Sequence, residues 1–569
     1  MRTLAFACLI AVATSLPAQY DANAPTPIPR LRGTFIVGGG GELAAAVYDG
    51  FVAMAGGEEA RVVLLGASPP TAAERARFES RGVKAAKLTA LHTATPDAAR
   101  ADGFVAPLRA ATGAWITGSD PAAFVAAYRG TPVEPALRDI VGRGGVVGGN
   151  GAVTRAMTRT MITNGDTKAT VGSGLDLIPG AVIDDHYTGK KRRERLLGVL
   201  DARRSLVGIG VDAGTAMILH QRWIDVLGPG SVYGCVLGSA KRKLRVERIN
   251  RNESPASQRR RPATTRRRGE ARRGRRRAAR AYRPRKLADL MALSRSAQAR
   301  AYPKFPAYSP EPPDVKKGTL IIVGGGGLPP GLMEKFIALA GGPDAPLVYI
   351  PCEEQERIEP APRLLDSWRR AGAKDVDWVH TKSRRAADTN EELLNKLRRA
   401  KGVWFGGGRQ WNLVDSYQNT TAHKLMHDVL ARGGVIGGSS AGASIQGSYM
   451  ARGNPLGNRD SMAEGYEIGL GFLTGVGIDQ HFTQRNRLPD MTALVDTYPE
   501  LLGIGLDEAS SIIVRGTVAE VFSRPDRNAL FYDRRIPVVA GKLDHVVIKH
   551  GQRYDLKARR LVDPGPKKR

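Results

Sequence analysis

Three cysteines in 569 residues are too few for a disulfide framework or a four-thiolate zinc site. Cys8 lies in a leader segment described below, and Cys235 and Cys352 fall in different halves, so both are expected as free thiols. No compact cluster of His, Cys, Asp or Glu stands at metal-ligand spacing, and neither metal nor cofactor is expected. Aromatic residues supply only 6%, and no apolar run reaches the roughly 18 residues that a membrane-spanning helix needs. With 42% hydrophobic and 25% charged residues, the composition fits soluble globular structure and excludes collagen-like, wholly disordered and multi-span membrane classes. The length exceeds one ordinary core, so several domains are expected at roughly 100 to 200 residues each.

The N-terminus reads as an export signal. Arg2 supplies a positive start, residues 4–13 an apolar block, and Leu16-Pro17-Ala18 a small-residue end, which places cleavage before Gln19 and the mature protein in the periplasm or outside the cell. A buried or disordered apolar N-terminus is the plainer alternative.

The net charge of +30 is unevenly spread: residues 241–290 hold 21 Lys or Arg against 4 acids. Within them, residues 259–285 are largely Arg, Ala, Gly and Pro, a composition that buries too little apolar surface to offset its ordering entropy. Residues 241–316 are therefore expected as a disordered basic linker. It is open to three readings: a solvated tether, an arm binding nucleic acid or acidic envelope polymers, and an artefact of a GC-rich gene read out of frame.

Internal repetition sets the organisation. GTFIVGGGG at residues 33–41 matches GTLIIVGGGG at residues 318–327, and FVAMAGG from Phe51 matches FIALAGG from Phe336. RGGVVGGNGA from Arg143 matches RGGVIGGSSA from Arg432, and LVGIGVDAGTAMIL from Leu206 matches LLGIGLDEASSIIV from Leu501. The expected layout is a leader (1–18), a short linker (19–32), a first domain (33–240), the basic linker (241–316) and a second domain (317–569). Short β-branched runs alternate with helical patterns in each half, so each is expected as an α/β domain with a doubly wound parallel sheet. Neither tetraglycine loop shows a full GxGxxG followed by an acid at the right distance, so their glycines are read as permitting tight turns or close backbone approach.

The strongest chemical signal is Gly438-Ser439-Ser440-Ala441-Gly442, a GxSxG between a strand-like run and a helix-like one. A nucleophile elbow needs that context, since small neighbours relieve crowding and the helix start aims N–H groups at developing negative charge. Ser440 is the candidate nucleophile, against the plainer reading of a structural turn. A serine hydroxyl needs a base, usually oriented by an acid. His481 in DQHFTQRNR and Glu508 in GLDEASS offer both, against the plainer readings of a loop histidine and a surface carboxylate.

Together, GGSSAGAS, DQHFTQRNR and GLDE resemble the serine peptidase family that contains cyanophycinase and aspartyl dipeptidase. The likeness is clear over residues 318–561 and weak over residues 33–236. It implies a glutamine-amidotransferase-like α/β fold, with Ser440 as nucleophile, His481 as general base and then acid, and Glu508 orienting the imidazole. It further implies an oxyanion hole from the N–H groups of Gly408 and Ala441, and pocket positions at Gln410, Gln480, Arg485 and Arg487. The implied substrate is cyanophycin, a poly-aspartate carrying arginine on its β-carboxyls. Arg485 and Arg487 would then meet substrate carboxylates and Asp479 a substrate guanidinium.

Two departures weaken the match: Leu488-Pro489-Asp490 stands where a further basic residue is expected, and Arg409 where an acid is usual. A β-aspartyl or aspartyl peptidase of other specificity stays open, as does a basic polyanion-binding protein with two inactive halves. In the first half, Gly151 occupies the place of Ser440 and Ala213 that of Glu508, although His186 is kept. That half is expected as an inactive partner packed on the active one, an internal version of a dimer. A different reaction on Asp185 and His186 is the alternative.

Overall fold

The computed structural model of the chain describes residues 32–190, 192–240, 242–251, 284–302, 311–358 and 363–562. Two compact units divide it, Thr26–Lys304 and the stretch from Phe305 to Arg569. Among the described residues, no helix is long and apolar enough to cross a membrane. Cys235 and Cys352 are buried free thiols. The expected leader and the core of the arginine-rich segment, residues 252–283, lie outside the described residues.

In the N-terminal unit the strand Thr34–Gly38 lies inside an eight-stranded sheet. Val146–Asn150, Gly113–Ile116, Val62–Gly66 and Leu88–His92 continue from it in parallel. On its other side Ala216–His220, Trp223–Leu227 and Ala288–Asp289 continue antiparallel. A four-stranded sheet holds Arg245–Ile249, Val232–Val236, Val207–Val211 and Ala181–Asp185. Phe35 and Val37 enter one buried cluster and Ile36 another, so alternate side chains of the central strand are covered on both faces. This double burial is why the strand reads as an unbroken apolar run.

The C-terminal unit repeats the plan. Val315–Val323 pairs in parallel with Val435–Ser439, which leads through Gly402–Gly408 and Leu347–Cys352 to Val376–Trp378. Ser510–Gly516 and Val518–Ser523 extend the sheet antiparallel. The second sheet contains Gly447–Met450, Leu473–Gln480, Leu502–Leu506, Ala529–Asp533 and Val546–Ile548. The central registers correspond, Thr34 with Val146 and Thr319 with Val435.

The expectation of purely parallel sheets is thus corrected: each main sheet is parallel on one side of its central strand and antiparallel on the other. The antiparallel strands next to the central one, Ala216–His220 and Ser510–Gly516, are buried over most of their length, so their patterning is close to that of the parallel ones. The linker expectation also changes at its edges. Arg245–Ile249 pairs with Val232–Val236, and Leu290–Ala301 is a helix whose N-cap Asp289 accepts from the N–H groups of Met291 and Ala292. Leu290, Leu293 and Ala297 join the N-terminal core, and Asp289 forms a buried ion pair with Arg222 at 2.7 Å. Averaging charge over the whole segment hides this apolar spacing, and the first unit extends well past residue 240.

The helix Thr421–Ala431, before the Val435–Ser439 strand, buries His423. His423 Nε2 and His427 Nε2 each lie 2.9 Å from the Leu470 carbonyl oxygen and 3.2 Å from each other. Burial holds both imidazoles well below their ordinary range. An unfolded chain binds these two protons near the usual pKa of about 6.5, whereas the folded chain resists them. Stability should therefore fall as pH drops below about 6.5, by up to about 1.4 kcal/mol per pH unit per group. Denaturant unfolding from pH 7 to 5 checks this, and a His423→Gln, His427→Gln double variant should flatten the slope.

Candidate active site

Ser440 follows the strand Val435–Ser439 and opens the short helix Ala441–Ser444 with φ +56° and ψ −112°. A non-glycine residue there is strained, and the surroundings enforce it. The Ser440 N–H donates to the Val323 carbonyl at 3.0 Å. Side chains at Gly438 and Gly442 would run into the Gly442 and Phe405 carbonyl oxygens, so the two glycines of GxSxG are a steric requirement of this turn.

His481 directly follows the strand Leu473–Gln480 and also has positive φ, +51°. Its N–H donates to the Gly324 carbonyl at 2.8 Å, while the Ala509 N–H donates to that of Gly325 at 2.8 Å. The tetraglycine loop thereby binds the segments carrying the imidazole and the acid. A Cβ on Gly325 would lie 2.6 Å from His481 Nε2, and one on Gly326 would lie 2.5 Å from Glu508 Cβ. Beneath them, buried Asp507 accepts from Thr483 Oγ1 at 2.6 Å and from the Asn528 N–H at 3.1 Å.

Within this frame Ser440 Oγ stands 2.9 Å from His481 Nε2, and His481 Nδ1 stands 2.6 Å from Glu508 Oε1. With Glu508 ionised, Nδ1–H donates to it and Nε2 is left to accept from the serine hydroxyl. Burial lowers the imidazole pKa; the Glu508 hydrogen bond opposes this, the positive charge of Arg485 adds to it, and the net shift is downward. Such an arrangement can withdraw a proton from a hydroxyl and return it to a leaving group. Gly408 ends the strand Gly402–Gly408 with φ +141°, pressed against the Cys352 carbonyl. The chain beside it passes Ser440 closely, since a Cβ on Gly407 would lie 3.5 Å from Ser440 Cβ. Ala441 is the first residue of the helix after the serine.

The expected pocket residues divide. Arg485 is exposed and makes no ion pair among the described residues. Gln480 is buried and its Oε1 has no hydrogen-bond partner. Gln410 is buried, its Nε2 donating to the Ala451 carbonyl at 2.5 Å. Asp479 and Arg487 are corrected: neither is open to a substrate. Asp479, 2% exposed, accepts from Arg452 Nε at 3.0 Å and from Arg487 Nη1 at 2.9 Å. Arg452 also reaches Asp490 at 2.5 Å, which closes a neutral set of two arginines and two aspartates. A buried carboxylate requires such compensation. Sequence reasoning missed Arg452, and its only signal was Asp490 standing where a basic residue was expected.

The N-terminal unit keeps the frame without the hydroxyl. Gly151 has φ +74°, His186 has φ +48°, and the His186 N–H donates to the Gly39 carbonyl at 2.8 Å as His481 does to Gly324. His186 Nδ1 meets its neighbour Asp185 at 2.8 Å, and Asp185 is in turn held by Arg155 at 2.5 Å.

Two repeated α/β units, one presenting serine, imidazole and carboxylate in a row, define a protein of the serine-hydrolase type. The profile of peptidase family S51 matches residues 41–227 and 318–522, and the chain belongs to that family. It is 35% identical over 181 residues to the cyanophycinase of Synechococcus elongatus, covering 31% of this chain and 55% of that relative. To the cyanophycinase of Geminocystis herdmanii it is 28% identical over 244 residues, covering 40% of this chain and 88% of that relative. The chain thus spans about half the length of the first of these relatives. Among solved structures it is similar to a peptidase from an acI-B1 Actinobacterium, at 20% identity and a TM-score of 0.32, covering 42% of this chain and 97% of that one.

The glycine slot yields a test that leaves Ser440, His481 and Glu508 themselves unsubstituted. Gly325→Ala should displace His481 and lower activity by about 10²-fold, while thermal unfolding by circular dichroism stays cooperative.

Proposed function

We propose that the chain is an exported serine-type exopeptidase that hydrolyses cyanophycin or related β-aspartyl peptides through an acyl-enzyme on Ser440. The carrying observation is the unbroken row from Ser440 Oγ through His481 to Glu508 Oε1. Ser440 Oγ attacks the scissile carbonyl carbon as its proton passes to His481 Nε2. The carbonyl π electrons move to oxygen, and the N–H groups of Gly408 and Ala441 receive that oxyanion. Collapse of the tetrahedral species breaks the C–N bond, and His481 returns the proton to the leaving amine. Water then gives a proton to His481 and attacks the ester, and the same proton restores the serine hydroxyl. Glu508 accepts from Nδ1–H and keeps the imidazole in the tautomer and orientation that this requires. The glutamine-amidotransferase-like form of the fold belongs to this reading.

The N-terminal unit acts as a non-catalytic partner, since Gly151 has no hydroxyl to acylate. For the arginine-rich segment within residues 241–290, contact with polyanions is proposed beside the plainer reading of a solvated tether. A second reading, an aspartyl peptidase of other specificity, is favoured by the engagement of Asp479 with Arg452 and Arg487, which removes the acid expected to meet substrate arginine. Arg485 and Gln480 are then the groups left to read the substrate.

Incubating the purified protein with cyanophycin and following β-aspartyl-arginine release tests the reading. Ser440→Ala should lose at least about 10⁴-fold in rate, and equal release by both proteins would remove Ser440 from the mechanism. The base works only when neutral, so activity should fall on the acid side with a midpoint below about 6.5. Arg485→Gln removes a charge that lowers the His481 pKa, so that midpoint should move to higher pH in kcat/KM profiles.

A further inference from the structure

Arg409 stands directly after Gly408, and its main chain is fixed there because the Cys352 Sγ–H donates to the Arg409 carbonyl at 2.8 Å. Its side chain runs to a single turn of a loop in the same unit. Nη2 donates to the carbonyl of Asn454 and, at 2.8 Å, to that of Gly457. Among the described residues no carboxylate lies within ion-pair distance of this guanidinium, and its Nε is buried without a partner. A half-buried guanidinium whose hydrogen bonds go only to carbonyls gains little stability from them. The geometry of the loop supplies a different reason.

Residues 452–461 form a closed loop, its ends joined by the Arg452 N–H donating to the Ser461 carbonyl at 3.1 Å. Arg409 holds the first half of the loop. Arg452 holds the second, through Nη1 to the carbonyls of Asn458 at 3.0 Å and Arg459 at 3.3 Å. Gln410, next to Arg409, holds the residue before the loop through the Ala451 carbonyl. The anchors therefore come from the candidate oxyanion strand on one side and, through Arg452 and Asp479, from the segment carrying His481 on the other. Within the loop Leu456 is 40% exposed, an apolar side chain presented by a turn whose flanking Asn454 and Gly457 carbonyls are both held by Arg409.

We propose that Arg409 is a positioning residue for substrate specificity: its guanidinium pins the loop 452–461 as a fixed wall of the substrate site beside Ser440. This deepens the proposed function and rests on it. A guanidinium suits the task because the two in-plane N–H donors of Nη2 take both carbonyls at a reach and direction fixed by the planar group, which a shorter, freely rotating ammonium does not reproduce. The arginine at a position where an acid is usual then serves the loop, and the wall it builds constrains what can lie next to the scissile bond.

Arg409→Met and Arg409→Lys test this in the full chain. Hydrogen exchange over residues 453–461 should accelerate in both variants. With a short β-aspartyl-arginine oligomer as substrate, KM should rise about tenfold, or about 1.4 kcal/mol, while kcat stays within about threefold. Labelling of Ser440 by a small fluorophosphonate should keep its wild-type rate, because that probe does not reach the wall. Unchanged exchange would show that Arg409 does not hold the loop, and faster exchange with unchanged KM would show that the loop is no part of the site; either overturns the proposal. Failure of the wild-type chain to label at Ser440 would instead strike the acyl-enzyme reading itself.

Discussion

The arrangement of the C-terminal unit depends on the close approach of His481 and Glu508 to a stretch of main chain that has no Cβ atoms. Gly324 to Gly326 form a slot whose carbonyls take the N–H groups of the two segments bearing the base and the acid. The absent side chains leave the space in which those residues lie. Adding one methyl group would place an atom inside the van der Waals radius of the imidazole, and a packed interior transmits such a shift rather than absorbing it. The backbone strain at Ser440 and His481 has the same origin. Each residue leaves a parallel strand and must turn at once toward the slot, and positive φ is the turn that the glycines permit.

The two units separate what the frame needs from what the chemistry needs. Asp212 accepts from Thr188 Oγ1 at 2.7 Å as Asp507 does from Thr483, so the polar support beneath the slot persists without a serine above it. Asp184 is buried against Arg195 and Arg192 as Asp479 is against Arg452 and Arg487. An aspartate kept in this setting where Gly151 stands at the place of Ser440 serves the frame. That recurrence is the physical reason for withdrawing Asp479 and Arg487 from the substrate pocket: their charges already satisfy each other in a place closed to water.

Some of this was legible in the chain and some was not, for reasons that differ by residue. Ser440 shows in sequence because its turn demands glycines at fixed short offsets, and His481 and Glu508 because each ends an apolar strand run. The internal repeat shows because each unit reuses one slot. Arg452 left no local trace, since its value lies in an ion pair to Asp479, 27 residues away. The antiparallel neighbours of the central strands, Ala216–His220 and Ser510–Gly516, escaped because burial on both faces erases the alternation that separates them from parallel ones. The helix Leu290–Ala301 escaped because neighbouring arginines dominate any average taken across it, whereas Leu290, Leu293 and Ala297 need only their own spacing to reach the core.

The absence of a hydroxyl at Gly151 and the presence of the same frame around it agree with the energetics of the slot. Replacing Ser440 by glycine at the equivalent place relieves a strained positive φ, because glycine adopts that conformation without steric cost. Giving the glycines side chains would clash with the imidazole, and removing the buried aspartate would leave Arg195 without its carboxylate. Chemistry is therefore the part of this fold that disappears at a gain in stability, while the frame disappears only at a loss. On that balance glycine at the elbow is compatible with a kept histidine, a kept tetraglycine loop and kept buried ion pairs, the combination found at Gly151, His186 and Asp184.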